Sequence, residues 1–172
     1  MPAVSVPGTF PAMDLDVRTI TEEQVPAWCA ALNIGFLNPA GDVDAEIRRP
    51  GLFLDRTWGG FDGARIVATL RSFPSEMTVP GGGSVGVSAV TAVTTTVPFR
   101  RRGLATRLLG GELAAAKERG ETASILIAAE WGIYGRFGYG PATEHQRSMS
   151  RCFGVVNIRR WTTVPRLLAI TR

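Results

Sequence analysis

The feature that most constrains the fold is a long run of valine and threonine that leads through a basic turn into a helix. Val85 to Val97 alternates with the two-residue period of a β-strand. The helical pattern that follows ends at Gly120 and has one apolar face, formed by Leu104, Leu108, Leu109, Leu113 and Ala116. A strand and a helix in direct succession indicate a layered architecture of both element types.

Strand and helix patterns follow one another irregularly along the rest of the chain. A capping box of Thr21 and Gln24 opens a first helix, whose predicted apolar face consists of Val25, Trp28, Cys29, Leu32 and Phe36. The other predicted elements are a strand at 14–19, a short helix at 42–49, strands at 52–61 and 64–73 joined at Asp62-Gly63, a turn at 80–83, a buried strand at 124–129, a helical turn at 131–137 and an extended stretch from Tyr139. The predicted fold class is therefore α+β (mixed α/β), with an antiparallel meander in the middle of the chain.

The composition excludes several classes of protein. With 45% hydrophobic and 20% charged residues, the 172-residue chain has enough apolar side chains for one domain with a core. No apolar run approaches the roughly 18 residues of a membrane helix, and residues 1–13, predicted to be a flexible arm, lack the basic start of a secretory signal. Cys29, Cys152 and a single histidine cannot form a metal cluster or a disulfide framework, so no metal is expected and the predicted location is cytoplasmic.

The formal net charge of +4 includes an arginine cluster at Arg100, Arg101 and Arg102. Such a cluster suits a nucleic acid, an anionic lipid or a phosphate-bearing cofactor, and in many proteins it is only a solvated surface. Nucleic-acid binding would depend steeply on salt, but the chain has no aromatic platform or recognition helix for it. The predicted partners therefore include neither nucleic acid nor membrane.

The residues after the cluster favour a phosphate ligand. Gly103, Leu104 and Ala105 occupy the first turn of the predicted helix, where unpaired backbone amides and the helix dipole bind phosphate oxygens. The small residues Gly103 and Ala105 leave room for a ligand to approach the backbone. The arginines add charge and bidentate hydrogen bonds.

Two motifs carry a resemblance to a known family. Arg100-x-x-Gly103-x-Ala105 resembles the acyl-CoA signature Q/R-x-x-G-x-G/A of the GNAT superfamily of N-acetyltransferases. The block from Ile133 to Thr143 (IYGRFGYGPAT), with Val90 to Val93 upstream, resembles the N-terminal acetyltransferase domain of the enhanced-intracellular-survival (Eis) family. The resemblance covers residues 15 to 153 and implies a GNAT fold, in which a mostly antiparallel twisted sheet is flanked by helices and splayed at the acetyl-CoA site.

The resemblance also implies the roles of individual residues. The co-substrate acetyl-CoA would lie after the long strand, with its pantetheine arm on the strand backbone and its pyrophosphate on the amides of the helix start. The implied binding residues are Val93, Thr95, Arg100, Arg101, Arg102, Gly103, Leu104 and Ala105. Tyr134 matches the family tyrosine that acts as general acid and protonates the departing thiolate, a task that suits a phenol with a pKa of about 10.

Three departures from the family concern the acceptor and the base. Asn38 stands where the family has an aspartate of an acidic amine-binding pocket, and Ala129 stands where a serine precedes Glu130. Family members continue into further domains, whose terminal carboxylate serves as general base. Residues 154–172 do not resemble that continuation and are predicted to be a tail that arises from truncation or a frameshift. The remaining candidates for the base are Glu130, His145 and bulk water.

A dinucleotide fingerprint at Gly81-x-Gly83-x-x-Gly86 is set aside, because it leads into a strand and not into a helix. We predict a GNAT domain over residues 14–153 that transfers an acetyl group from acetyl-CoA to a primary amine of an aminoglycoside, a polyamine or a lysine-like acceptor. The alternative is a CoA-binding but catalytically impaired fragment. Homo-oligomer formation is implied by the family resemblance alone.

Overall fold

A single sheet forms the centre of the computed structural model, which describes residues 15–38, 44–128, 130–147 and 150–157. Its strands are β1 (Leu15–Thr19), β2 (Thr57–Asp62), β3 (Arg65–Thr78), β4 (Ser84–Thr95), β5 (Ala123–Ala128), β6 (Tyr139–Arg147) and β7 (Ser150–Asn157). The helices are α1 (Val25–Gly35), α2 (Asp44–Arg48), α3 (Leu104–Glu118) and α4 (Trp131–Tyr134). Across the sheet the strand order is β1-β2-β3-β4-β5-β7-β6.

Neighbouring strands are antiparallel except for β4 and β5, which run parallel. A parallel pair cannot be joined by a tight turn, so the chain needs a crossover, and α3 provides it. The predicted α+β class with a mostly antiparallel sheet is confirmed.

Helices α1 and α3 bury the predicted apolar faces, with one exception. The buried residues that were predicted are Val25, Trp28, Cys29 and Leu32 on α1, and Leu104, Leu108, Leu109, Leu113 and Ala116 on α3. Phe36 is 51% exposed, so its prediction as a core residue is wrong. The reason is that α1 ends at Gly35 and the chain then turns at Leu37, which has a φ of 58°. The capping box of Thr21 and Gln24 is present.

The predicted start of the second strand, at residue 52, is wrong. Residues 49–51 and 54–56 form two 3-10 turns, and β2 begins only at Thr57. The Thr57 hydroxyl donates to the Phe53 carbonyl at 2.7 Å, a local bond that competes with sheet pairing. The hairpin that follows turns at Gly63 and Ala64, one residue later than predicted, with a φ of 58° at Gly63.

Strand β7 continues into the segment that the sequence assigned to the tail. Residues up to Asn157 pair with both β5 and β6, so Gly154 to Asn157 are part of the sheet. The predicted arm, the start of the short helix at Asp42, Ala129 and residues 158–172 lie outside the described residues.

None of the helices in the described part of the chain is long and apolar enough to cross a membrane.

Candidate active site

The two parallel strands at the centre of the sheet separate toward their carboxyl ends. β4 and β5 are paired only as far as Val90 and Leu126. β4 continues without that neighbour to Thr95, and β5 continues to Ala128 while it pairs with β7 on its other side. A gap therefore opens between the two strands, at the end of the sheet where α3 begins.

A β-bulge in β4 lies where this gap starts. The register of β4 with β3 shifts between the Arg71–Thr91 and Thr69–Thr94 pairs, and Ala92 has a φ of 56°. The Thr69 hydroxyl donates to the Ala92 carbonyl at 2.8 Å and holds the bulge in place. Because a bulge bends its strand and increases the twist, it accounts for the divergence of β4 from β5.

The backbone of β4 presents hydrogen-bonding groups to this gap. The Thr96 amide donates to the Val67 carbonyl of β3 at 2.9 Å. By the alternation of an antiparallel strand, the backbone groups of Thr95 and Val93 face the opposite edge, toward the gap. The Thr95 carbonyl already accepts a hydrogen bond from Arg100 Nε at 3.2 Å. Val93 and Thr95 therefore lie at the edge of β4 that faces the gap.

The turn between β4 and α3 is curved by left-handed backbone at Arg101 and Gly103, with φ values of 63° and 78°. Left-handed residues beside right-handed ones bring successive amides together into an anion-binding concavity. The first helical bond at this end runs from the Arg107 amide to the Gly103 carbonyl at 3.0 Å. The amides of the first turn therefore point out of the helix N-terminus.

The residues of this turn fit a phosphate ligand. A Cβ atom on Gly103 would meet no other atom within 4 Å, so the space in front of the turn is open. The three arginine side chains beside it are exposed, and that of Arg102 lies 5.5 Å from the centroid of the Phe99 ring. Leu104 is buried and anchors the helix start, whereas Ala105 adds little bulk beside the turn.

Tyr134 lies at the end of α4 and packs into the core cluster that contains Leu104 and Phe99. Its side chain is buried, at 9% exposure. Burial, and to a smaller extent the negative charge of Glu130, raises the pKa of Tyr134 above its ordinary value of 10.0. The hydroxyl is therefore protonated at neutral pH and able to donate a proton.

Tyr139, which lies next to Tyr134, has a hydroxyl with a structural hydrogen bond and serves as a comparison. The ring of Tyr139 meets that of Tyr134 edge-on, at 5.9 Å and 75°. The Tyr139 hydroxyl is bonded to Ser124 Oγ at 2.7 Å. Among the described residues none hydrogen-bonds the Tyr134 hydroxyl, in contrast to that of Tyr139.

The two side-chain candidates for the general base, Glu130 and His145, lie in different parts of the fold. Glu130 is exposed and immediately precedes α4, close enough for its charge to act on Tyr134. The backbone of His145 lies in β6 opposite Cys152, one strand beyond β7 in the sheet. The structure therefore brings Glu130 toward Tyr134.

A cavity of about 190 Å³ lies on the α1 side of the β4 bulge. Its lining residues are Leu32, Phe36, Asn38, Arg48, Arg71, Thr91 and Ala92. Asn38 and the half-exposed Phe36 thus line the same cavity at the bulge. Sequence reasoning missed Arg48 and Arg71, since they come from α2 and β3 and only the tertiary fold brings them together.

Sequence reasoning also missed an ionic network beneath α3. Glu112 is fully buried, and its carboxylate accepts hydrogen bonds at 2.5 to 2.8 Å from Trp58, Ser72, Ser88 and Arg119. Arg119 also pairs with Glu121, which pairs in turn with Arg56 at 2.6 Å. The available signal was the position of Glu112, one helical turn after Leu108 and therefore on the apolar face.

Comparison with known proteins identifies the class to which this fold and site belong. The profile of the family described as "Acetyltransferase (GNAT) domain" matches residues 16–142. The chain therefore belongs to the GNAT acetyltransferase family.

Within that family the chain is similar to several particular proteins. A Streptomyces avermitilis protein named "Uncharacterized N-acetyltransferase" is 50% identical over 132 residues, which cover 76% of this chain and 32% of that protein. The crystal structure of Eis1 from Mycobacterium abscessus matches with a TM-score of 0.68 and 32% identity, over 75% of this chain and 32% of the other. The resemblance to Eis is thus confirmed. This chain spans about a third of the length of these relatives.

A structure with lower sequence identity shows the same fold over more of the chain. It is a GNAT family N-acetyltransferase (YhbS) from Escherichia coli in complex with CoA, with a TM-score of 0.66 and 18% identity. The match covers 95% of this chain and 99% of the other.

Proposed function

We propose that this chain is an acetyl-CoA-dependent N-acetyltransferase domain that transfers the acetyl group to a primary amine. The observation that carries the proposal is the meeting of the β4–β5 gap, the basic left-handed turn before α3 and the buried Tyr134 at one end of the sheet. The Escherichia coli structure in complex with CoA has the same fold, which supports CoA as the ligand.

In this proposal the gap and the turn hold acetyl-CoA. The backbone groups of Val93 and Thr95 pair with the pantetheine arm. The amides from Arg101 to Ala105 bind the pyrophosphate, and the arginine side chains balance its negative charge. Leu104 contributes its amide while its side chain fixes the helix start in the core.

The chemistry follows from the position of Tyr134. The neutral amine attacks the thioester carbonyl carbon, the carbon–sulfur bond breaks, and Tyr134 donates its proton to the departing sulfur. The new amide nitrogen loses a proton to water or to a base, for which Glu130 and His145 are the candidates. The pKa of Tyr134 is raised, so the acid form persists throughout the physiological pH range.

The finer predictions remain part of this proposal. They are the roles of the named residues, the start of the domain at residue 14, the cytoplasmic location and the formation of homo-oligomers.

Titration calorimetry with acetyl-CoA, together with a thiol-release assay on a panel of primary amines, tests the proposal. Binding with thiol release is the expected result. Binding without release would favour the alternative, a CoA-binding but catalytically impaired fragment. A folded chain that does not bind acetyl-CoA would overturn both.

The substitution Tyr134→Phe tests the mechanism separately from binding. We expect it to lower kcat by about a hundredfold or more, within the usual range for a general acid, and to leave the Kd for acetyl-CoA nearly unchanged. Tyr139→Phe is the matched control, since it removes the neighbouring hydroxyl and should leave kcat unchanged. An unaltered kcat in Tyr134→Phe would remove Tyr134 from the mechanism.

A further inference from the structure

The cavity at the β4 bulge adjoins the proposed reaction centre. Two of its lining residues, Thr91 and Ala92, lie in β4 just beyond the last pair with β5. They immediately precede Val93, to which the proposed function assigns the pantetheine arm. A molecule in this cavity would therefore approach the thioester from the side of α1.

The charge of this cavity is positive. Arg48 and Arg71 are the charged residues among its lining, and Asn38 and Thr91 supply neutral polar groups. None of the described lining residues is a carboxylate, and neither arginine takes part in the ion pairs formed among the described residues. Arg71 Nη1 makes a long contact, of 3.4 Å, with the Gly51 carbonyl, and the Arg71 guanidinium lies 6.0 Å from the centroid of the Phe73 ring.

The two guanidinium groups act on each other. Burial, followed by the positive charge of Arg48, lowers the pKa of Arg71. Two cations that share a partly desolvated cavity repel each other, and an anion bound between them would relieve both the repulsion and the loss of hydration. Arginine is well suited to this, because its planar fork binds a carboxylate through two parallel hydrogen bonds.

We propose that this cavity binds the acceptor of the acetyl group, and that the acceptor is a primary amine that also carries a carboxylate, which Arg48 and Arg71 bind. The inference rests on the proposed function and specifies its substrate class. Leu32 and Phe36 provide an apolar wall for the carbon skeleton of such a molecule. A polyamine or an aminoglycoside brings only positive charge and is disfavoured here.

Two series of matched acceptors test this inference at saturating acetyl-CoA. One series is L-lysine, L-lysinamide and 1,5-diaminopentane, and the other is L-phenylalanine, L-phenylalaninamide and 2-phenylethylamine. In at least one series we expect kcat/KM for the acid to exceed that for the amide by about tenfold or more, the usual value of a hydrogen bond to a charged group. Equal or better use of the amide and the amine in both series would overturn the inference.

Substitutions then assign the preference to the two arginines. Arg48→Gln and Arg71→Gln should each bring the acid and the amide close to parity, and Arg48→Glu should reverse the order in favour of 1,5-diaminopentane. Arg65→Gln is the control, since Arg65 is exposed at the start of β3 and does not line the cavity. A preference for the acid that survives in the Arg48→Gln/Arg71→Gln double variant would also overturn the inference.

Calorimetry separates the failure of this inference from failure of the proposed function. The acid and the amide acceptors are titrated separately into the chain saturated with CoA, and CoA is titrated into the chain alone. CoA binding without a preference for the acid over the amide would contradict the inference and leave the proposed function standing. Loss of CoA binding itself would overturn the proposed function, and the inference with it.

Discussion

The two halves of helix α3 place charged groups in opposite environments. In its C-terminal half the carboxylate of Glu112 is fully buried and accepts hydrogen bonds from Trp58, Ser72, Ser88 and Arg119. At its N-terminal end the arginines face solvent and the backbone is left-handed at Arg101 and Gly103. A buried charge is stable only when groups inside the protein pair with it. Exposed cations at a helix start are hydrated by solvent and are accessible to an anionic ligand.

The comparison indicates that the buried network around Glu112 fixes the position of the exposed N-terminal turn of α3. The donors to Glu112 come from β2, β3 and β4, so the network joins α3 to three neighbouring strands. A helix held in this way has its first turn at a set position relative to the end of β4. The proposed phosphate site depends on that position, although no member of the network belongs to it.

The largest effect is expected from Glu112→Ala. It would leave the Arg119 guanidinium, two hydroxyls and an indole N–H without their acceptor, and the loss of one partner of a buried pair usually costs about 3–5 kcal/mol. Urea unfolding measures the free energy of unfolding. Glu118→Ala, at an exposed position of the same helix, is the control and should change it by less than about 0.5 kcal/mol. If the two variants were equally stable, the network would not hold the helix.

The next effect is expected at the other end of the helix, from Gly103→Glu. A carboxylate in front of the phosphate cradle should weaken acetyl-CoA binding by about a hundredfold or more, because juxtaposed like charges cost several kcal/mol. Calorimetry gives the Kd. Gly103→Ala separates charge from backbone strain, since it adds only a methyl group at a positive φ and should cost about 1–2 kcal/mol of stability. Acetyl-CoA affinity that is the same in Gly103→Glu as in Gly103→Ala would contradict the placement of the pyrophosphate.

A smaller effect is expected at Tyr139, a buried group with one hydrogen-bond partner. Tyr139→Phe should cost about 1 kcal/mol at neutral pH, the net value of one hydrogen bond. Burial raises the pKa of Tyr139, so the folded state keeps its proton at a pH where the unfolded chain has lost it. The free energy of unfolding of the natural chain should therefore fall as the pH rises above about 10. In the variant this alkaline decline should be shallower. Equal declines in both proteins would mean that Tyr139 does not cause it.

The smallest effect is expected from Thr94→Val near the end of β4. Among the described residues, the buried Thr94 hydroxyl has no hydrogen-bond partner. Removal of an unsatisfied polar group at constant shape is neutral or stabilising, so the free energy of unfolding should stay the same or rise by up to about 1 kcal/mol. Thermal and urea unfolding check this. A clear loss of stability would show that the Thr94 hydroxyl has a hydrogen-bond partner in solution, as the groups around Glu112 have.

The parts of the fold that local pattern controls were predictable. The apolar face of α3 follows from helical spacing, and the turn before it from a glycine that adopts a φ of 78°. The errors at Phe36 and at the start of β2 have a local cause, since the chain turned where a continued helix or strand was expected. A hydrogen bond such as that from Thr57 to the Phe53 carbonyl does not change the hydrophobic pattern on which the prediction relied.

The sequence by itself determined that a Val/Thr strand would lead through a basic turn into an amphipathic helix, because these features depend on residues close together in the chain. It also carried the motif that led to the GNAT family. Only the tertiary structure decided that β4 and β5 part beyond Val90, that Arg48 and Arg71 line one cavity, and that Glu112 finds its donors on three strands. These arrangements depend on strand register and on the packing of distant elements, which the order of residues in any one segment does not express.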